Sequence, residues 1–252
     1  MLRIKNYRII RDDIYEKLCQ LTPFDNVVTP NSLRKVQGLL PSLNIRQLRR
    51  VLEEEPSVLE TLASKSYVHE NGFYKLTVID KSNAKLRVRI HYWPARGVAP
   101  AQIENIHNHR FNYYSYILSG GISNRIWKVA SNGATYQHYQ YRPRMQKQSY
   151  VLDYRGESLL EECEERQYHS GDLYCMNAED LHVASAYQFN DVVTLFIEER
   201  ATLRPYADVF SNEYPNKNVP IASPALTSKQ YLEVLSTIAN VLENDAHVVS
   251  RG

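Results

Sequence analysis

Cysteine is scarce in this sequence. Its three cysteines, Cys19, Cys163 and Cys175, are scattered over 252 positions, too few and too far apart for a disulfide framework. No N-x-S/T sequon occurs. The opening MLRIKNYRII runs directly into RDDIYEK, without a signal-peptide apolar region, and no stretch approaches membrane-spanning length. The expectation is a reducing, cytoplasmic setting with no membrane partner. Net charge is nearly absent too. Thirty basic against 28 acidic residues leave +2, so no overall field favours nucleic acid. The basic cluster Arg46, Arg49 and Arg50 has no flanking aromatics and reads as a solvated helix face rather than a polyanion site. A P-loop, a dinucleotide fingerprint, H-E-x-x-H and paired C-x-x-C are all missing, which leaves nucleotide and zinc-ribbon readings without support.

What is present is an ordinary globular composition, 43% hydrophobic and 23% charged, long enough for one substantial domain with appendages. The first seventy residues read as helices. Ile14, Leu18 and Leu21 share a helix face, Thr29-Pro30 is a cap with proline at the first helical position, and Ile45, Leu48, Val51 and Leu52 form one stripe. Pro56 opens another short helix through Leu62. At Asn71-Gly72 the period changes to two. FYKLTVID, KLRVRIHYW, FNYYSYILS, SNRIWKVA, TYQHYQYR, SYVLDY, GDLYCMN, HVASAYQF and VVTLFIEE are strand-length runs, separated by turns such as Ser119-Gly120-Gly121, Ser131-Asn132-Gly133 and Ser170-Gly171. Strands without intervening helices predict a sandwich or barrel. Many of the 19 tyrosines fall in this middle region, where a sheet or a wet pocket has use for them. Thr227 to Gln230 resembles a capping box, followed by Leu232, Leu235, Ile238 and Leu242 at helical spacing. The division expected is a helical region over 1–70, a β domain over 71–215 and a tail with a helix over 216–252.

Two histidines, His107 and His109, stand two apart, so on a strand they project from one face and can converge on one cation. Strand 111–118 follows, with a turn at Gly120-Gly121. Much later GDLYCMNAEDLHVAS opens a strand at Gly171-Asp172 and turns through Asn177-Ala178-Glu179-Asp180 into His182. Together these resemble the two-part signature of the cupin superfamily: H-x-H with a glycine turn, then G-D, a strand, a turn and a histidine. The resemblance covers roughly residues 72 to 200. It implies a mainly β, double-stranded β-helix (jelly-roll) barrel in which His107, His109 and His182 hold one divalent metal. Two positions depart from it. Tyr114, with Tyr113 beside it, stands where many cupins have a glutamate ligand, and the second motif has Asn and Asp in place of its usual proline and glycine. Asn and Asp make such turns by bonding their own backbone. The missing glutamate brings the ligand set closer to that of the thiol dioxygenases.

A neutral three-histidine set leaves the cation's charge uncompensated and positions open for substrate and dioxygen. Iron(II) follows from the family resemblance, with zinc, manganese and nickel as rivals that ligand type does not separate. In LRVRIHYW, Arg87, Arg89 and His91 share one face, which is either a solvent-facing row or a substrate-binding wall suited to a carboxylate. If inward, each arginine needs an anionic partner, either substrate or a carboxylate such as Glu104. Tyr113 and Tyr114 are either packing aromatics or phenols aimed at the open side, with Tyr114 the catalytic candidate by position and Arg89 the residue that orients a carboxylate. His138 reads as part of an aromatic sheet face, His169 as an exposed turn residue and Cys175 as a small core residue. The function expected is a mononuclear non-haem iron(II) oxygenase acting on a small polar metabolite, an amino acid or carboxylate derivative. A metal-dependent isomerase or lyase and a non-catalytic ligand-binding cupin are the alternatives. A homodimer stays open.

Overall fold

Small polar caps and prolines divide the N-terminal region into four helices: α1 (Tyr7–Cys19), α2 (Pro30–Gln37), α3 (Ile45–Glu54) and α4 (Pro56–Ala63). Asn6, Thr29 and Asn44 each accept a hydrogen bond from a first-turn N–H, and Pro30 and Pro56 open α2 and α4, relieving the unsatisfied donors of a helix start. The computed structural model describes residues 6–20, 28–69, 71–80, 86–95, 105–144, 149–186, 190–199, 204–215 and 217–249. Leu21 of the expected α1 stripe lies outside them, while Ile14 and Leu18 are buried as the spacing requires. At the other end α5 (Ser228–Val249) starts with the reciprocal box. Gln230 N donates to Thr227 Oγ1 (3.2 Å), and Thr227 N donates to Gln230 Oε1 (2.9 Å).

Between the helical ends run β1 (Tyr67–Val68), β2 (Tyr74–Asp80), β3 (Leu86–Trp93), β4 (Ile106–His107), β5 (Tyr113–Ser119), β6 (Gly121–Arg144), β7 (Ser149–His169), β8 (Leu173–Met176), β9 (Leu181–Ala186), β10 (Val192–Glu199), β11 (Ala207–Ser211) and β12 (Val219–Ala222). They form two antiparallel six-stranded sheets. The first has the order β1-β2-β3-β10-β5-β8 and the second β11-β4-β9-β6-β7-β12. The sheets face each other: Phe73, Tyr113, Ile117, Tyr174 and Phe196 from the first side cluster with Ile122 from the second. Among the described residues no strand pairing joins one sheet to the other, so the expected barrel is realised as two facing sheets rather than a closed cylinder.

The other face of the first sheet is covered by the helices. Leu76, Val88, Ile90, Tyr114, Leu195 and Ile197 share one core with Ile14, Leu18, Leu48, Leu52 and with Tyr231, Leu235 and Ile238 of α5. The layers are therefore helices, sheet, sheet. Arg46 lies on an exposed face, as expected, where it pairs with Glu243 of α5 and donates to Asn240 at 3.0 Å, while Arg49 pairs with Glu53 one turn on.

The span between the two histidine motifs was read as several short strands, but it is one long hairpin of β6 and β7. Ser131-Asn132-Gly133, expected as a turn, is a bulge inside β6, across which Val129 and Ala134 both face Leu160. Glycine is required there because a Cβ on Gly133 would lie 2.4 Å from the Leu160 carbonyl oxygen. Short strands β1, β4, β11 and β12 and the charged second half of β7 are additions for which the sequence carried no alternating apolar signal.

Strand β2 is itself bulged between Thr77 and Ile79, and a bulge leaves backbone groups without ladder partners. Two helices supply them: Tyr231 of α5 donates its hydroxyl to Thr77 O (2.8 Å), and Tyr7 of α1 donates to Val78 O (2.9 Å). Both hydroxyls are buried, which pushes their pKa up and keeps them donors. Tyr231→Phe is expected to leave a buried carbonyl unpaired and to cost about 1–3 kcal/mol, measured by urea unfolding. An unchanged midpoint would show that the helix layer does not lean on this bond.

Candidate metal centre

The second sheet sets the three histidines. His107 ends β4 and lies directly opposite His182 of β9, while His109 follows β4 outside any strand. The turn into His182 is built by Asx chemistry in place of proline and glycine: Asp180 Oδ2 accepts from Asn177 N (2.9 Å) and Nδ2 (3.1 Å), and Asn112 Oδ1 accepts from Ala178 N (2.8 Å). One ligating nitrogen from each of His107, His109 and His182 lies within 4.8 Å of the others, and the Nε2 atoms of His109 and His182 are 2.9 Å apart. Two nitrogens bound to one ion at about 2.1 Å each sit about 3 Å apart when adjacent, so this spacing fits a shared cation.

Tautomers fit as well. His182 Nδ1 lies 2.8 Å from Asn124 Oδ1 and His107 Nδ1 lies 2.9 Å from Asn105 O. Each oxygen accepts only, so Nδ1 carries the proton and Nε2 keeps its lone pair for the site. Burial lowers all three imidazole pKa values, His109 and His182 well below the ordinary value, and the neighbouring rings push the same way at those two. Neutral imidazole is the form a metal needs.

Behind the H-x-H segment stands a polar cluster built on one carboxylate, Asp208. Asp208 of β11 accepts from Asn108 Nδ2 (3.1 Å) and Arg204 (2.7 Å) and meets His138 Nε2 at 2.8 Å, while Asn108 Oδ1 accepts from Asp208 N (2.7 Å). Burial pushes the Asp208 carboxyl up, yet these bonds outweigh it and hold the pKa below the usual range. His138 also stacks on Phe210 at 4.6 Å. It is a brace on a sheet face, as its setting suggested.

Facing the histidines, the first sheet contributes a wall. Tyr113 lies with its ring 4.7 Å from that of His109 and its hydroxyl 3.4 Å from His182 Nε2. Phe196 packs on Tyr113 (4.3 Å) and on His91 (4.4 Å). Tyr114, the candidate from motif position, is a correction: strand alternation turns it to the helix side, buried in the helix–sheet core. It is Tyr113 that meets the site. Cys175 likewise packs against the helix-side core, and His169 is exposed at the end of β7.

Arg89 and His91 are buried and Arg87 is partly exposed, all on the face of β3 opposite the helix-side core. Glu104 lies outside the described residues, and among the described residues Arg87 and Arg89 share a different carboxylate. It is Glu198 of β10, 1% exposed, whose Oε1 pairs with Arg87 and Oε2 with Arg89, each at 2.8 Å. Sequence reasoning missed Glu198 because β10 pairs with β3 more than a hundred positions away in the chain. It also missed Asn124, a buried amide in a strand of otherwise ordinary alternation, and Lys75, a single lysine within the strand run FYKLTVID.

No protein-family model matches the sequence, and no curated protein matches it. Among solved structures the chain is similar to KdgF from a Halomonas species (12% identity, 54% of this chain and 86% of that one, TM-score 0.31). It is similar also to a cupin-like protein from Thermotoga maritima (10% identity, 68% and 88%, TM-score 0.31). In a structure of the DMSP lyases RdDddP and RnDddQII it spans about half of the matched chain (14% identity, 52% and 49%, TM-score 0.30). The neighbours' names include cupin and cupin-like proteins, and in this chain His107, His109 and His182 form a group that could hold one metal ion. In this chain His107 of β4 pairs with His182 of β9 within the second of the two antiparallel sheets. Among the described residues no helix is long and apolar enough to cross a membrane.

Three outcomes are expected. His107→Ala or His182→Ala should abolish tight binding of a divalent ion while the fold persists, and Asn124→Leu should weaken it about 10–100-fold by freeing the His182 ring. Metal titration followed by calorimetry reads both, and normal affinity in Asn124→Leu would remove that residue as a brace. Glu198→Ala should destabilise the protein by about 3–5 kcal/mol, since the buried Arg89 guanidinium loses its anion and the partly exposed Arg87 loses its nearer one. Chemical unfolding measures this, and a cost near zero would mean that water already serves the arginines.

Proposed function

We propose that this chain is a mononuclear non-haem iron(II) oxygenase acting on a small polar metabolite that carries a carboxylate, an amino acid or a derivative of one. The observation that supports this best is the donor set: three neutral imidazoles and, among the described residues, no carboxylate in the cluster. Iron(II) held by His107, His109 and His182 would bring dioxygen and substrate together at its open positions, so that they react as neighbours. Iron rather than zinc, manganese or nickel follows from the likeness of this ligand set to that of the thiol dioxygenases.

The remaining work falls to the chain's own residues. Asn105 and Asn124 fix the rings so that the lone pairs face inward. Phe196, Trp93 and Tyr113 make a buried aromatic wall that limits water near the reacting groups. The Tyr113 hydroxyl, with its pKa raised by burial first and by neighbouring Tyr174 and Asp180 next, remains protonated and can donate a hydrogen bond to a substrate oxygen beside His182. Arg89 and His91 stand on the same wall and orient an anionic group, with Glu198 holding the Arg89 guanidinium in place.

The test is metal content of the purified protein, then oxygen uptake with iron(II) across a panel of amino acids and organic acids. Oxygen consumption that matches substrate loss is the expected result. Turnover without oxygen would replace this reading by a metal-dependent lyase or isomerase, and tight binding without turnover by a ligand-binding cupin.

A further inference from the structure

Opposite the histidines, β2, β3 and β10 place Lys75, His91 and Thr194 in one cross-strand row on the inward face. Side chains so paired are about 5 Å apart at Cβ. Lys75 is 9% exposed, His91 5% and Thr194 0%. His91 Nε2, Thr194 Oγ1, Arg89 Nε and Trp93 Nε1 on this wall are buried with no hydrogen-bond partner. The Lys75 ammonium lies 5.8 Å from the centroid of the Phe196 ring. The carboxylate on this wall is already committed, since each oxygen of Glu198 is taken by an arginine. A buried cation ordinarily has a partner, and a buried donor an acceptor.

We propose that Lys75, with the uncommitted donors of Arg89, Trp93 and Thr194, forms a recognition subsite for a carboxylate of the substrate. Ammonium, indole N–H and guanidinium N–H can only donate, and an ionised carboxylate can only accept, so wall and ligand are complementary. Water would fill the bonds without answering the charge. Burial first, then the adjacent Arg89, pushes Lys75 down to about 7, as expected of an ammonium kept from water beside other cations. The placement of this carboxylate end rests on the functional reading above, but the subsite's affinity for an anion does not require the metal.

Metal-free protein titrated with acetate by calorimetry tests the subsite, with acetamide as the uncharged isostere and inorganic phosphate as a rival anion. Saturable acetate binding is expected, with none for acetamide. Lys75→Met should weaken it at least tenfold, and Thr194→Val several-fold with the shape of the wall preserved. Absent acetate binding, equal binding of acetamide, tighter binding of phosphate, or full affinity in folded Lys75→Met would each overturn the proposal. Acetate binding without oxygen uptake on any panel member would leave the subsite standing and remove the oxygenase reading alone. Oxygen uptake with unchanged acetate thermodynamics in Lys75→Met would remove only the subsite.

Discussion

The first sheet is buried on both faces, and most of the rest follows from that constraint. Helices cover one face and the second sheet covers the other. In a sheet that is wet on one side, the polar half of each strand dissolves in solvent. Here β3 and β10 keep the alternation of a half-wet strand while neither face is wet, so each inward polar group must be answered inside the protein. Glu198 answers two arginines at once. Lys75, His91 and Thr194 are left for something else, and the inner face of the first sheet takes its chemical character from them.

The two sheets divide the labour. The second supplies the ligands, braced from behind by Asn124, Asn105 and the Asp208 cluster, and the first supplies the aromatic and cationic wall. This separation makes it possible for the metal-binding nitrogens to remain neutral, because the cationic groups sit on the opposite side and lower the imidazole pKa values further instead of competing for the same position. It also assigns the two tyrosines. Neighbouring residues of one strand serve different layers, Tyr113 the site and Tyr114 the helix core.

Much of this was legible in the sequence. Alternation located most of the long strands, capping residues located the helices, and spacing paired His107 with His109, while His182 joined them only through the family resemblance; the structure brings the three together. What periodicity does not carry is the destination of the polar face. Arg87, Arg89 and His91 were readable as a row, but whether the row met water depended on a second sheet assembled from distant segments. Lys75 was invisible for the same reason, since a lysine alternating with apolar residues ordinarily points outward. Glu198 and Asn124 act through partners 109 and 58 positions away, a relation that a single sequence does not express. Tyr114 was misplaced because a motif position gives an offset in the chain and not a side of the strand.

The long strand β6 has one more consequence. Its first half carries Asn124, which steadies the ring of His182, and its second half carries His138, which meets the Asp208 that grips the loop between His107 and His109. A single continuous segment thus tethers both halves of the cluster. His109 and His182 are 73 positions apart, and Asn108 and Asp208 are 100 apart. Contacts of such long range pay their loop-closure entropy before they return any energy, and chains dominated by them fold slowly. The centre therefore has no local precursor. It is complete only once the long hairpin has docked, because the groups that steady its rings arrive on segments far apart in the chain.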